Sequence, residues 1–135
     1  MRVVKVWDVF HVDLGNGYKK KFFIPLIRVN SLEYGSHATK WLGFYISTSP
    51  QHVGGLKGND IRISSTVYRF LSYDSSINAG ELNVHYESEL VEYRDYIRSG
   101  DQSRVFAVVE KSKTLEPERV QAILALKDLS TSTTT

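Results

Sequence analysis

Cysteine is absent from the 135 residues of this sequence. Disulfides and every site built on thiolate ligands, including Cys-ligated zinc and iron–sulfur centres, are therefore excluded. No apolar run approaches the ~18 residues of a membrane-spanning helix, and the first residues lack the apolar core of a signal peptide. We predict a cytoplasmic protein with no membrane association. One globular domain is expected at residues 1–129, followed by a flexible Ser/Thr tail at 130–135.

A strong charge of one sign is also lacking, because 17 basic residues face 15 acidic ones and leave a net charge of +2. The distribution is less even. The first 70 residues carry ten basic and four acidic residues, and the remainder carries seven and eleven. A basic half attracts phosphate groups, although charges spread over solvated faces explain the same pattern.

Short runs with period-two alternation fill most of the chain and predict β-strands. The first is Val4–Leu14, and Gly15-Asn16-Gly17 after it suits a tight hairpin turn. The second, Lys20–Val29, contains Pro25, which cannot donate to a ladder and predicts an edge, a bulge or a bend. The third is Trp41–Ser47. Further short strands are predicted at 60–64, 66–72 and 81–87.

The polar stretch 30–40 is predicted as a loop, and 73–80 as turns. Residues 89–97 and 104–110 fit a strand or a helix equally well. The last element is a helix at about 116–129, with acidic residues and Pro117 in its first turn. The chain is therefore predicted to be α+β and mostly β, a small twisted antiparallel sheet with a C-terminal helix.

No phosphate-binding GxxxxGK[ST] loop, HExxH or GxSxG motif occurs. The four histidines show no metal-ligand spacing and are interpreted as surface or strand residues. Glu87, Glu89 and Glu92 are interpreted as a solvated charged face.

Three local groups of residues suit phosphate or RNA. They are Lys19, Lys20 and Lys21; Ser47, Thr48 and Ser49; and Tyr68 with Arg69. Lysines hold phosphates as point charges, and hydroxyls at a strand end can position a phosphate or a 2′-OH. A tyrosine beside an arginine can stack on an unpaired base while the guanidinium grips phosphate. A solubility loop, a turn cap and a core strand remain the plainer alternatives.

Three segments carry a family resemblance, namely Trp7–Leu14, Ile24–Asn30 and Phe44–Ser49. In this order they are similar to the first three strands of the MazF/PemK-like growth-inhibitor toxins, and the resemblance covers about residues 5–72. It implies an SH3-like barrel of five to seven strands with a C-terminal helix, and a homodimer. It also implies a ribosome-independent endoribonuclease that attacks the phosphate of single-stranded RNA with the adjacent 2′-OH. Neither a metal nor a cofactor is implied, and the implied protein partner is an antitoxin.

The resemblance places the family's positioning hydroxyl on Ser47. It places Ile24 where the family has an arginine that stabilises charge on the phosphate, so Lys21 or Arg28 would have to substitute. The missing arginine favours a second hypothesis, a non-catalytic β-barrel module that binds nucleic acid or protein. A phage or plasmid accessory protein without a nucleic-acid role is the third.

Overall fold

A computed structural model of the protein describes residues 3–15, 20–47 and 59–128. Seven strands form one sheet, and two helices follow them. The strands are β1 (Asp8–Val12), β2 (Lys21–Glu33), β3 (Ser36–Ser47), β4 (Asp60–Ile63), β5 (Ser75–Asn78), β6 (Asn83–Tyr86) and β7 (Tyr93–Tyr96). The helices are α1 (Ser99–Glu110) and α2 (Pro117–Leu124), and a 3₁₀ turn spans Glu87–Glu89.

The pairings are antiparallel and follow the order β4-β5-β3-β2-β1-β7, with β6 sharing one edge of β3 with β5. This confirms the α+β, mostly β class. Within the described ranges the path is open, with β4 and β7 at its ends, so barrel closure stays a prediction. No helix in these ranges is long and apolar enough to cross a membrane. The predicted tail, 130–135, lies outside the described residues.

The predicted loop at 30–40 is wrong, because β2 and β3 continue through it as a long hairpin arm. Their ladder runs out to the pair Glu33–Ser36. Tyr34 and Gly35 make the turn with φ of 51° and 81°, the left-handed pair that suits two-residue hairpins. Polar side chains on both sides of this ribbon concealed its alternation.

Other expectations divide along the chain. The strands predicted at 60–64 and 81–87 are confirmed as β4 and β6, whereas residues 66–72 form turns. The predicted turns at 73–80 contain β5. The two ambiguous runs resolve in opposite ways, since 89–97 contains β7 and 104–110 belongs to α1. The expected last helix is present as α2.

The sheet buries apolar side chains on both faces. Its helix face packs against α1 and α2 through residues that include Val9, Ile24, Phe44, Ile46, Ile77, Val105, Val109 and Ile123. Its outer face carries a smaller cluster of Phe10, Val12, Phe23, Trp41 and Leu90. Burial on both sides explains why β1 has consecutive buried residues, a pattern typical of a covered strand.

A β-bulge in β2 determines which of its residues share a face of the sheet. Pro25 pairs with Gly43 and Ile27 with Leu42, so Leu26 is the extra residue. A Cβ atom at Gly43 would overlap the carbonyl oxygen of Ile24 and come within 2.9 Å of Phe23 Cζ. The extra residue also puts Phe23 and Arg28 on the same face, which strict alternation would separate.

Substituting Gly43 with alanine is expected to lower the free energy of unfolding by at least ~3 kcal/mol, the upper end of the usual overpacking cost, because backbone must yield. Gly100→Ala is the control, since nothing lies within 4 Å of its added Cβ. A helical glycine-to-alanine change should stabilise by about 0.5–1 kcal/mol. Urea denaturation followed by tryptophan fluorescence measures both, and equal effects of the two changes would contradict the close approach.

Candidate active site at the ends of strands β2 to β5

Four side chains form a row across the end of the sheet. Ser47, the last residue of β3, pairs with Ser76 of β5, and Ser76 pairs with Arg62 of β4. Directly opposed residues of antiparallel strands share a face. Lys21 lies one step beyond the paired residues Phe22 and Ile46, and therefore flanks Ser47 from the other side. We call these four residues the Lys21–Arg62 row.

The row has cations at its ends and hydroxyls at its centre. Lys21 and Arg62 are exposed and Ser47 is half-buried. Ser76 is 1% exposed, and its Oγ has no hydrogen-bond partner within the part of the chain that the structure describes. Adjacent strands lie ~4.8 Å apart, so the row spans about 14 Å. Two exposed cations and the half-buried Ser47 hydroxyl on one face suit the binding of phosphate.

A chain of hydrogen bonds lies next to this row on the same face of the sheet. Tyr45 precedes Ser47 by two residues and so shares its face. The Tyr45 hydroxyl lies 2.7 Å from His85 Nε2, and His85 Nδ1 lies 3.3 Å from a Glu89 carboxylate oxygen. His85 is 6% exposed. The Lys21 ammonium lies 5.4 Å from the centre of the Tyr45 ring, which joins the chain to the row.

Arg28 lies in another part of the outer face. It pairs with Trp41, six residues before Ser47, which is about 20 Å along a strand. Its Nε is 3.7 Å from Glu87, and Glu87 also accepts a hydrogen bond from the Trp41 indole. The fold therefore does not bring Arg28 to Ser47. Of the two predicted substitutes for the family arginine, only Lys21 lies beside Ser47.

Lys20 takes the opposite face from Lys21, as alternation requires. Its ammonium lies 3.1 Å from Glu92, and this contact holds the pKa of the Glu92 carboxyl below its usual value. His11 stacks on Phe22 at 4.5 Å on the same face. Burial, then the charge of Arg94, lowers the pKa of His11. Lys20 thus belongs to a separate cluster.

Tyr68 is a core residue, which corrects the expectation that it stacks on bases. It is fully buried. Its hydroxyl donates to Asp101 at 2.6 Å and accepts the Arg98 backbone N–H at 2.9 Å. Burial, then the Asp101 hydrogen bond, raises its pKa. Its neighbour Arg69 is exposed in the turn region and stays a predicted RNA contact.

The predicted RNA contacts Lys19, Thr48 and Ser49 lie outside the described residues. The three residues Ser47, Lys21 and Arg28 of the predicted catalytic set are described, and the fold brings together the first two.

Comparison with known proteins gives one informative result. No protein-family model and no curated protein matches this sequence. A solved structure, an endoribonuclease in complex with its cognate antitoxin from a mycobacterial species, is similar with a TM-score of 0.57 and 14% sequence identity. The alignment covers 86% of this chain and 98% of that one. At this identity the likeness shows a shared fold.

Sequence reasoning missed five residues of the site, and some of them had a signal. Ile61 and Ile63 alternate with Arg62 in the predicted strand at 60–64, which leaves Arg62 on the other face. Tyr45 alternates with Ser47. Ser76 lies in a segment predicted as turns, and nothing local marked it. His85 was interpreted as a surface or strand residue and Glu89 as part of a solvated charged face. Only the pairing of β6 with β3 brings them to Tyr45.

Replacing Tyr68 with phenylalanine is expected to lower the free energy of unfolding by ~1–3 kcal/mol, because Asp101 and the Arg98 amide lose a buried partner. RNA affinity should stay unchanged. Tyr73→Phe is the matched control, since Tyr73 is exposed. Urea denaturation and fluorescence anisotropy with a labelled RNA measure the two quantities. A loss of affinity at native stability would contradict the core assignment.

Proposed function

We propose that this protein is a metal-independent endoribonuclease that cleaves single-stranded RNA through attack of a ribose 2′-OH on the adjacent phosphate. The observation that carries the proposal is the Lys21–Arg62 row, on a fold shared with an endoribonuclease. The resemblance to MazF/PemK-like toxins in the first three strands supports the same conclusion.

The chemistry needs groups that stabilise negative charge on phosphorus. When the 2′ oxygen attacks, the O2′–P bond forms and the P–O5′ bond breaks, which leaves a 2′,3′-cyclic phosphate and a 5′-hydroxyl. Negative charge builds up on the non-bridging oxygens during the attack. The Lys21 ammonium and the Arg62 guanidinium flank this position, and the half-buried hydroxyl of Ser47 supplies a hydrogen bond. Preorganised donors and cations of this kind are usually the largest contribution to the rate.

The residue that replaces the family arginine explains why two other cations are needed. Ile24 is fully buried in the helix-face core and cannot contact a phosphate. Lys21 and Arg62 reach the site from strands on either side of β3 and β5. Arg62 offers planar, bidentate contact that suits phosphate, whereas Lys21 acts as a point charge.

We also propose an antitoxin as the protein partner, a homodimer as the assembly and the cytoplasm as the location. The similar solved structure is an endoribonuclease in complex with its cognate antitoxin. A partner segment with carboxylates would pair with the cations of the Lys21–Arg62 row and so compete with RNA.

A non-catalytic binding module is the second candidate function. The specific observation in its favour is the buried Ile24, which removes the cation that the resemblance would place before Pro25. The same row would then bind RNA or an acidic peptide without cleaving it.

Incubation of the purified protein with a long unstructured RNA in EDTA tests the proposal. The native chain is expected to cleave and to leave cyclic-phosphate ends. Ser47→Ala, Lys21→Ala and Arg62→Ala should each lower the cleavage rate about 10²- to 10³-fold, the usual cost of removing one charge-stabilising group. Lys113→Ala, which removes an exposed cation between the helices, should leave the rate unchanged.

The outcomes separate the two functions. Cleavage that EDTA abolishes would overturn the metal-independent mechanism. Tight binding without cleavage would support the binding module, and equal loss in the Lys113 variant would show an effect of charge alone.

A further inference from the structure

We propose that Tyr45, His85 and Glu89 form a proton relay that removes the proton of the attacking 2′-OH, with Tyr45 as the residue that touches substrate. This inference rests on the proposed function and names the base that the Lys21–Arg62 row lacks. Lys21, Arg62 and Ser47 suit the binding of a phosphate, but none of them is a ready proton acceptor at neutral pH.

The relay is placed by sheet pairing. Trp41 pairs with His85 and Gly43 pairs with Asn83, so β6 lies against β3 with His85 on the outer face. Glu89 follows His85 by four residues in the 3₁₀ turn, and its carboxylate also accepts the backbone N–H of Tyr86 at 2.8 Å. The carboxylate is thereby fixed toward the imidazole. Tyr45 ends the chain, and its ring lies beside the Lys21 ammonium.

Hydrogen-bond chemistry fixes the direction of the relay. An ionised carboxylate can only accept, so His85 Nδ1 carries the hydrogen that faces Glu89. The neutral ring then accepts at Nε2, and the Tyr45 hydroxyl donates to it. Burial, followed by the charges of Glu89 and Glu81, raises the pKa of Tyr45, which keeps this hydroxyl protonated at neutral pH and able to donate.

Charged and titratable groups face the relay from β2, from the 3₁₀ turn and from the segment before β6. Lys21 from β2 lies over the Tyr45 ring. Glu89 from the 3₁₀ turn contacts His85, and Glu81, which precedes β6, acts on Tyr45. The more distant Glu87 is engaged by Trp41 of β3 and by Arg28 of β2. Carboxylates thus predominate around the chain of hydrogen bonds.

The proposed step balances. The substrate 2′-OH gives its proton to the Tyr45 oxygen while the Tyr45 proton passes to His85 Nε2. The O2′–P bond forms and the P–O5′ bond breaks, and the leaving 5′ oxygen takes a proton from solvent. His85 becomes an imidazolium beside the Glu89 carboxylate. After product leaves, it returns its proton to solvent through Tyr45. Tyr45 is neutral before and after the step.

A purely structural histidine would also be buried and hydrogen-bonded. The difference lies in the placement of Tyr45, which shares a face with Ser47 two residues away and packs against the Lys21 ammonium. A structural role predicts variants with lower stability and an unchanged pH profile. A relay predicts variants with a changed rate and a changed pH profile at unchanged RNA affinity.

Single-turnover cleavage of RNA, measured across the pH range in which histidine titrates, tests the relay. The variants are Tyr45→Phe, His85→Gln, Glu89→Gln and Glu89→Asp. The control is Tyr86→Phe, whose hydroxyl donates to Glu33 at 2.8 Å and lies on the opposite face of β6. Affinity is measured with 2′-O-methyl RNA, which binds but has no attacking hydroxyl.

Tyr45→Phe and His85→Gln are expected to lose about 10²- to 10⁴-fold in rate, the usual contribution of general base catalysis. The native rate should depend on pH, and these two variants should lose the part of that dependence that arises from the relay. Glu89→Gln should lower the rate and change the pH profile, because the imidazole loses the carboxylate that holds its Nδ1. Glu89→Asp should recover part of the rate. Affinity and the Tyr86→Phe rate should stay at the native values.

Each result has one reading. If the native chain leaves RNA intact, the proposed nuclease function falls, and the relay falls with it. If the native chain cleaves and Tyr45→Phe matches its rate and pH profile, only the relay is overturned. His85→Gln counts only if its circular dichroism is native, and Tyr45→Phe, which keeps the aromatic ring, decides when it is not.

Discussion

Glycine at position 43 lets the carbonyl oxygen of Ile24 approach β3 more closely than any side chain there would allow. This close approach accommodates the bulge at Leu26. Pro25 suits the irregular pairing because it has no N–H group that would be left unpaired. Because of the bulge, Phe23 and Arg28 lie on the same face of the sheet. The part of β2 before the bulge places Lys21 and Phe23 beside Ser47 and Tyr45, and the part after the bulge carries Arg28 away from them.

Two cores fix the site from both sides. The helix-face core holds the row Phe22, Ile46, Ile77 and Ile61, which lies one residue from the row of polar side chains. Because alternate residues point to opposite faces, firm packing of these apolar side chains orients their polar neighbours. The outer-face cluster, with Phe23 edge-on to both Tyr45 and His85, holds the hydrogen-bonded chain in place. Rigid elements of this kind position reacting groups better than loops do.

The sequence allowed the fold class to be predicted because period two is visible wherever one strand face is apolar, as in Lys20–Val29 and Trp41–Ser47. It failed where that contrast is absent. The arm from Asn30 to Lys40 is polar on both sides, and β5 is a short serine-rich strand that resembles a turn. In the same way, Ser47 and Lys21 were predicted as site residues from local chemistry, whereas Ser76, His85 and Glu89 come near them only through long-range pairing. Tyr68 was interpreted as a binding residue because it precedes Arg69, yet the fold directs it into the core.

Between Lys40 and the turn at Tyr34 and Gly35, the hairpin arm consists of β2 and β3 alone, because the pairing of β6 with β3 ends at Lys40. Leu32 and the turn residue Tyr34 are largely exposed on it. Two-stranded ribbons without a packed face are marginal by themselves, so cooperative unfolding of the body does not govern this segment. Its amide hydrogens should exchange with solvent through local opening, independently of those in the centre of β3.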